Sequence, residues 1–360
     1  MQHDRESGDI DRMMRIGIAT TMRDNAPSYH LRFRSVLNAL QRDAKVQCHD
    51  IIQKSFFGRF TRFSFRDETD IILIARVRNL EHLKSIFGFA ESRGVPVVYE
   101  TDDLILCDRR SDAPVERAGE VADYLRRSAG IITSTPYLAD QVRSYNRHTA
   151  VFPNLLDPAI WDIRVPVKAG ETKPLRICCI GTGLMSENIS LIIPAMEHCY
   201  GVYGRDAVFC LRGNAKYLDE RVRKLKNVTI SDKKIPYRAF ARKLQHEAFD
   251  LGVVPLSDLR FNRAKSNVKY LEYAVSGIPA IFSRVEAYAG LHHGDTCLLV
   301  KNDPDAWKQD IIRMVEDEGL RMKISAGAYD DVSSRFVLNG EWAHKYLLIL
   351  ENVLGRTEAA

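Results

Sequence analysis

Two lysines and a glutamate, Lys265, Lys269 and Glu272, are spaced four and three residues apart in the run that starts at Ala264. On a helix this spacing puts all three on one face near its start. Ammonium groups beside a helix N-terminus suit a diphosphate, and a nearby carboxylate can accept hydrogen bonds from ribose hydroxyls. The trio therefore suits a sugar nucleotide, with Ser266 and Asn267 as further candidates on the turn. A solvated i, i+4 charge pattern has the same spacing, and spacing alone leaves both open.

Glu100-Thr101-Asp102-Asp103 follows an apolar run, where open α/β sheets place their chemistry. One carboxylate there could deprotonate a hydroxyl, and two adjacent ones could raise one pKa toward a useful base. Asp103 is the first candidate and Asp102 the second; a helix cap is the competing reading. Ser28, Tyr29, Arg32 and Arg34 open a helix after the first apolar run and suit an anionic acceptor such as a lipid-linked diphosphate sugar. Arg32 could equally be a solvated helix residue.

Gly181-Thr182-Gly183 reads as a turn between strand and helix whose amides could face a phosphate. A dinucleotide fingerprint would need glycine at Ser186 and an acid near Arg212, so NAD binding is disfavoured. Arg212, closing the next strand, could pair with a diphosphate or lie on the surface. His292-His293 lacks a third ligand at zinc spacing. Phe56, Phe57, Phe60, Phe63 and Phe65 interleave with Lys54, Arg59, Arg62 and Arg66, a mixture found in partly buried loops and in membrane or nucleic-acid contacts.

The elements that would position these residues alternate. Apolar runs at 14–20, 70–75, 95–100 and 130–134 alternate with helical patterns, and the stretch around Val151 to Asn154 closes this first unit. After Pro158, Pro166, Gly170 and Pro174 the pattern restarts, with strands near 175–180, 207–211, 227–230, 251–255, 279–283 and 297–300. Continuous apolar strands with helices between them indicate parallel sheets. The fold class is α/β, two Rossmann-like doubly wound domains facing a cleft. The expected division is a leader (1–13), an N-terminal acceptor domain (14–160), a linker (161–174), a C-terminal nucleotide-sugar domain (175–335), and a C-terminal helix (336–360) packing back on the first domain.

A chain of 360 residues is long for one core, which agrees with two domains. The net charge of +5 fits an anionic ligand or surface without requiring either. No apolar run approaches the ~20 residues of a membrane span. The first residues lack the apolar core of a signal peptide. The seven cysteines show no metal-ligand spacing and several fall in strands, so a reducing cytoplasm is the simplest expectation.

The run from Asp250 to Leu256, the run from Lys265 to Ala280 and the run from Gly294 to Val300 together resemble the donor half of GT-B glycosyltransferases. The resemblance is to the family 4 (group 1) branch that builds bacterial surface polysaccharides. Pro27 to Arg34 and Val98 to Leu104 are similar to a subgroup of O-antigen type. The resemblance implies a sugar transfer from a nucleotide-diphosphate sugar to a glycan or lipid-linked acceptor. It implies Glu272 on the ribose, Ile235 and Tyr237 at the nucleobase, and no metal or other cofactor, because protein cations and helix dipoles hold the leaving diphosphate. It further implies a cytoplasmic protein, peripheral at the inner face of the plasma membrane; nucleic acid is not an expected partner.

Two departures stand out. Ala264 occupies the place of the family's first motif glutamate, and its basic residue after the first C-domain strand is missing from Gly181 to Glu187. Lys265 and Lys269 are the expected replacements for that charge. A degenerate GT-B binding or scaffold protein is the alternative, followed by an NADP-dependent oxidoreductase.

Overall fold

The computed structural model describes residues 13–23, 26–54, 61–165, 174–183, 186–216 and 218–358. The expected leader up to residue 12, the linker core 166–173, and Phe56, Phe57, Arg59 and Phe60 lie outside the described residues.

Among the described residues the first half builds eight strands: β1 (Met14–Thr20), β2 (Val46–Asp50), β3 (Ile52–Lys54), β4 (Thr61–Phe63), β5 (Ile71–Ala75), β6 (Val97–Thr101), β7 (Gly130–Thr133) and β8 (Thr149–Val151). β3 and β4 form an antiparallel pair. The other six make one parallel sheet in the order β2-β1-β5-β6-β7-β8. β5 and β6 are buried along their whole length, as expected of strands covered by helices on both faces.

The second half repeats the design with β9 (Leu175–Gly183), β10 (Ala207–Asn214), β11 (Val228–Ser231), β12 (Leu251–Val254), β13 (Ala280–Ser283) and β14 (Leu298–Val300). Their parallel order is β11-β10-β9-β12-β13-β14. In each sheet the winding reverses beside the first strand, between β1 and β5 and between β9 and β12. Ligands of open α/β sheets bind outside the carboxyl ends at such points.

Three findings differ from the sequence reading. β9 continues through Gly183 instead of turning at Gly181: Gly183 pairs with Asn214 across an irregularity at Arg212/Asn214 that Gly213 (φ 148°) accommodates. Trp161, assigned to the linker, is 1% exposed and packs with Leu156, Ile160 and Tyr237 in the core. The first helix widens into a π turn over His30–Arg34, burying four successive residues, His30, Leu31, Arg32 and Phe33.

The last helix, Gly340–Glu358, crosses back to the first half. Ala343, Tyr346, Leu347, Leu350 and Val353 join a core cluster with Ile16, Ile18, Phe33, Val36 and Leu73. The crossing runs beside the outgoing chain, with Leu156 and Val337 forming a parallel bridge.

Candidate functional site

The carboxyl edge of the first sheet gathers side chains from three connections. Ser28 lies one residue into the helix after β1, Arg76 directly follows β5, and Asp102 and Asp103 follow β6. Ser28 Oγ donates to Asp102 Oδ2 at 2.7 Å, and Arg76 Nη1 donates to Ser28 Oγ at 3.0 Å. Arg76 Nη1 also stands 3.1 Å from Asp102 Oδ1, while its Nη2 pairs with Asp103 Oδ2. Arg76 takes left-handed backbone (φ 55°), a conformation costly for a residue with a Cβ, and its amide donates to Glu100 O at 3.1 Å. The Asp103 turn is closed by Thr101 Oγ1, which donates to Asp103 O at 2.7 Å.

Lys265 of the second half lies within electrostatic range of this cluster. Burial pushes its ammonium pKa down and Asp103 pushes it back up, with Arg109, Asp102 and Arg76 also in range. Burial raises the Asp103 pKa and Asp102 adds to it, while Arg76, Lys265 and Arg78 oppose. Two carboxylates and an arginine from one sheet edge thus meet a lysine from the other.

The segment carrying Lys265 is tied to the first half at several atoms. Asp112 receives the amides of Arg260 (2.6 Å) and Phe261 (2.9 Å), capping the short helix Arg260–Arg263. Thr135 Oγ1 donates to Ala264 O at 3.3 Å, and Asn154 Nδ2 donates to Ser266 Oγ at 2.6 Å. Ala264 is fully buried in the first half's apolar cluster with Ile105 and Leu106. The position where the resemblance places a carboxylate therefore holds a methyl at an apolar contact.

Asn267 opens the helix Val268–Ala274 without a side-chain cap. Lys269 Nζ holds Glu272 Oε2 at 2.6 Å and lies over the Phe240 ring at 5.2 Å. Glu272 is buried, and its charge helps push the Tyr237 hydroxyl pKa up, after burial itself. Tyr237 is buried as well: its hydroxyl accepts from Trp161 Nε1 at 3.2 Å and its ring stacks on His30 at 5.8 Å. Tyr237 thus serves the contact between the halves rather than offering a face to a base. Ile235 is half-buried in the preceding loop, and Gly181 and Gly183 stand at the end of β9.

Arg212 and Arg32 are placed otherwise than the sequence suggests. Arg212 pairs with Glu247 and lies over Phe249 at 5.1 Å. Arg176, second residue of β9, covers the same ring at 4.7 Å, so the Arg212 guanidinium points to the amino edge of the sheet, away from the cleft. Arg32 is 1% exposed: its Nη2 stands 3.0 Å from Glu100 Oε1, and its Nη1 donates to Phe152 O and Asn154 Oδ1. Glu100 also accepts from Tyr346 at 2.8 Å; burial lifts its pKa to about 7 against the pull of Arg32. Neither arginine is presented to a ligand. Arg34 lies over Tyr29 at 6.0 Å, and Tyr29 packs edge-on to His30 and Phe33.

Sequence reasoning missed Arg76, Thr135, Asn154 and Asp112. Only Arg76 had a readable signal, since it directly ends an apolar strand run at the edge that carries chemistry. In the aromatic stretch Phe63 stacks on Phe65 at 5.7 Å, and Phe65 on Phe89 at 4.3 Å. Among the described residues no group of three or more His, Cys, Asp or Glu could hold a metal, and no helix is long and apolar enough to cross a membrane.

No family model and no curated protein sequence matches the chain. Solved structures do. A sucrose-phosphate synthase from Thermosynechococcus elongatus superposes with TM-score 0.68 at 13% identity, over 96% of this chain and 100% of that one. HepE from Anabaena, solved with UDP and glucose, gives 0.62 at 13% over 95% and 100%. A UDP-forming α,α-trehalose-phosphate synthase from Burkholderia vietnamiensis gives 0.64 at 11% over 95% and 98%. TarM gives 0.58 at 12% over 79% of this chain, which spans about half of TarM's length (54%). These likenesses establish the two-domain α/β architecture, the GT-B fold.

Proposed function

We propose that this GT-B chain is a glycosyltransferase that moves a sugar from a nucleotide-diphosphate sugar to a glycan or lipid-linked acceptor of cell-surface polysaccharide synthesis. One observation carries the reading: Asp102, Asp103 and Arg76 of one sheet's carboxyl edge lie within electrostatic range of Lys265 from the other half. Complexes of HepE with UDP and UDP-glucose support a nucleotide sugar in such a cleft.

In this reading Lys265 and Lys269 neutralise the diphosphate as negative charge develops on it, the largest electrostatic demand of the reaction. Glu272, held at 2.6 Å by Lys269, offers its carboxylate to the ribose. Asp103 takes the proton of the acceptor hydroxyl, its basicity raised by burial and by Asp102. Arg76 holds both carboxylates in place, and Ser28 fixes the orientation of Asp102. No metal ion is required for these roles. The protein works in the cytoplasm, against the membrane that carries its acceptor.

The buried Ala264 favours a second reading, a sugar-nucleotide-binding scaffold without transfer activity. Calorimetry with UDP-, GDP- and dTDP-sugars, followed by transfer assays on lipid and glycan extracts, separates the two. Saturable binding with transfer supports the enzyme; binding without hydrolysis or transfer supports the scaffold. No binding to any of the three classes would overturn both.

A further inference from the structure

A chain of three hydrogen bonds and one ion pair runs from the last helix through the first half's core to the loop beside Lys265. Tyr346 Oη donates to Glu100 Oε2 (2.8 Å), Glu100 Oε1 pairs with Arg32 Nη2 (3.0 Å), Arg32 Nη1 donates to Asn154 Oδ1 (3.0 Å), and Asn154 Nδ2 donates to Ser266 Oγ (2.6 Å). Tyr346, Glu100, Arg32 and Asn154 are all buried. A guanidinium has donors and no acceptor, so the oxygen of the Asn154 amide must face Arg32. The amide cannot flip without leaving two donors opposed, and its nitrogen therefore faces Ser266. Ser266 Oγ accepts that bond, so its own proton is directed elsewhere, and no hydrogen bond among the described residues takes it.

We propose that Asn154 is a positioning residue for an anionic ligand, presenting the Ser266 hydroxyl as a donor to a phosphoryl oxygen beside Lys265. The inference rests on the nucleotide-sugar reading and deepens it. Thr135 completes the device: its bond to Ala264 O and the Asn154 bond to Ser266 Oγ fix the chain on both sides of Lys265. A hydroxyl that must donate and an ammonium flanked by two such bonds form a pre-organised anion contact. The polarity comes entirely from the first half, though the contact groups belong to the second.

The test reverses that polarity. Asn154→Asp puts an acceptor where the amide nitrogen stood, so the Ser266 proton turns toward the new carboxylate and away from the ligand. UDP, GDP and dTDP are titrated by calorimetry, and the tightest binder is used throughout. Expected are about tenfold weaker nucleotide binding for Asn154→Asp and for Ser266→Ala, near-native binding for Ser266→Thr, and no further loss when Asn154→Asp is added to Ser266→Ala. Should Asn154→Asp fail to fold, Asn154→Ala with and without Ser266→Ala gives the same non-additivity. Native affinity in the folded Asn154→Asp variant, or additive losses in the pair, would overturn the inference while leaving the nucleotide-sugar reading intact. Absence of binding by the unaltered chain would end that reading and this inference together.

Discussion

At the carboxyl edge of the first sheet, Asp102 and Asp103 are both answered by Arg76 from the same half. The second sheet's edge sets Lys265 and Lys269 against the single carboxylate of Glu272. The first edge sets two carboxylates against one guanidinium, which suits a group that must take up and release a proton. The second carries surplus positive charge, which suits an anion. A similar contrast separates two arginines of the first half. Arg32 and Glu100 are each 1% exposed, whereas Arg76 keeps 31% of its side chain exposed. Burial thus keeps the Arg32 guanidinium wholly within the protein and leaves that of Arg76 partly open.

Four experiments would break or sharpen that contrast. The largest effect is expected at the buried pair: Arg32→Ala leaves Glu100 without its cation and should cost about 3–5 kcal/mol in denaturant unfolding. Arg76→Ala should cost about 1 kcal/mol or less. Equal costs would erase the distinction between the two arginines.

Next comes the proton acceptor. Asp103→Asn should lower kcat by about 10²–10⁴-fold with the unfolding midpoint nearly unchanged. A native kcat would move the base elsewhere. On the other edge, Glu272→Ala should weaken nucleotide-sugar binding about tenfold or more, by loss of a charged hydrogen bond. Unchanged affinity in a folded variant would refute the ribose role. The smallest effect belongs to Arg212→Ala, whose partner is Glu247; donor affinity should stay within about twofold. A large loss there would return Arg212 to the cleft.

The buried pair also makes a pH prediction. Burial raises the Glu100 pKa from its ordinary 4.5 to about 7, with Arg32 and Tyr346 opposing. The folded state then holds this proton more tightly than the unfolded chain. Its stabilisation is complete below the unfolded value and is lost as pH rises through the folded one. Unfolding free energy should therefore fall between about pH 4.5 and about pH 7, and Glu100→Gln should flatten that slope. An identical slope in the variant would assign the dependence to other groups.

The sequence showed both sheets because β5 and β12 are continuous apolar runs and β6 and β13 begin as such. It did not show β2, whose Val46-Gln-Cys-His-Asp50 is an edge strand with polar, half-exposed positions. At the site, Lys265 and Asp103 could be read from their place after strands. Their meeting could not, because 162 positions separate them in the sequence numbering and only the packing of the two halves joins them. Arg32 was misread for a related reason. A helix-start arginine reads as an acceptor contact or a solvated residue until the π turn of His30–Arg34 and the returning helix bury it.

That returning helix orders events during synthesis. Strands β1, β5, β6 and β7 leave the ribosome before the second half, yet Ile16, Ile18 and Leu73 share a core with Tyr346, Leu347 and Leu350, which emerge after it. Glu100 likewise waits for the Tyr346 hydroxyl across 246 residues of chain. The first half stays incomplete until that helix has emerged, with apolar surface exposed for the whole time the second half is being made. Removing residues 340–358 should therefore damage the distant amino-terminal half more than the half to which they are covalently joined.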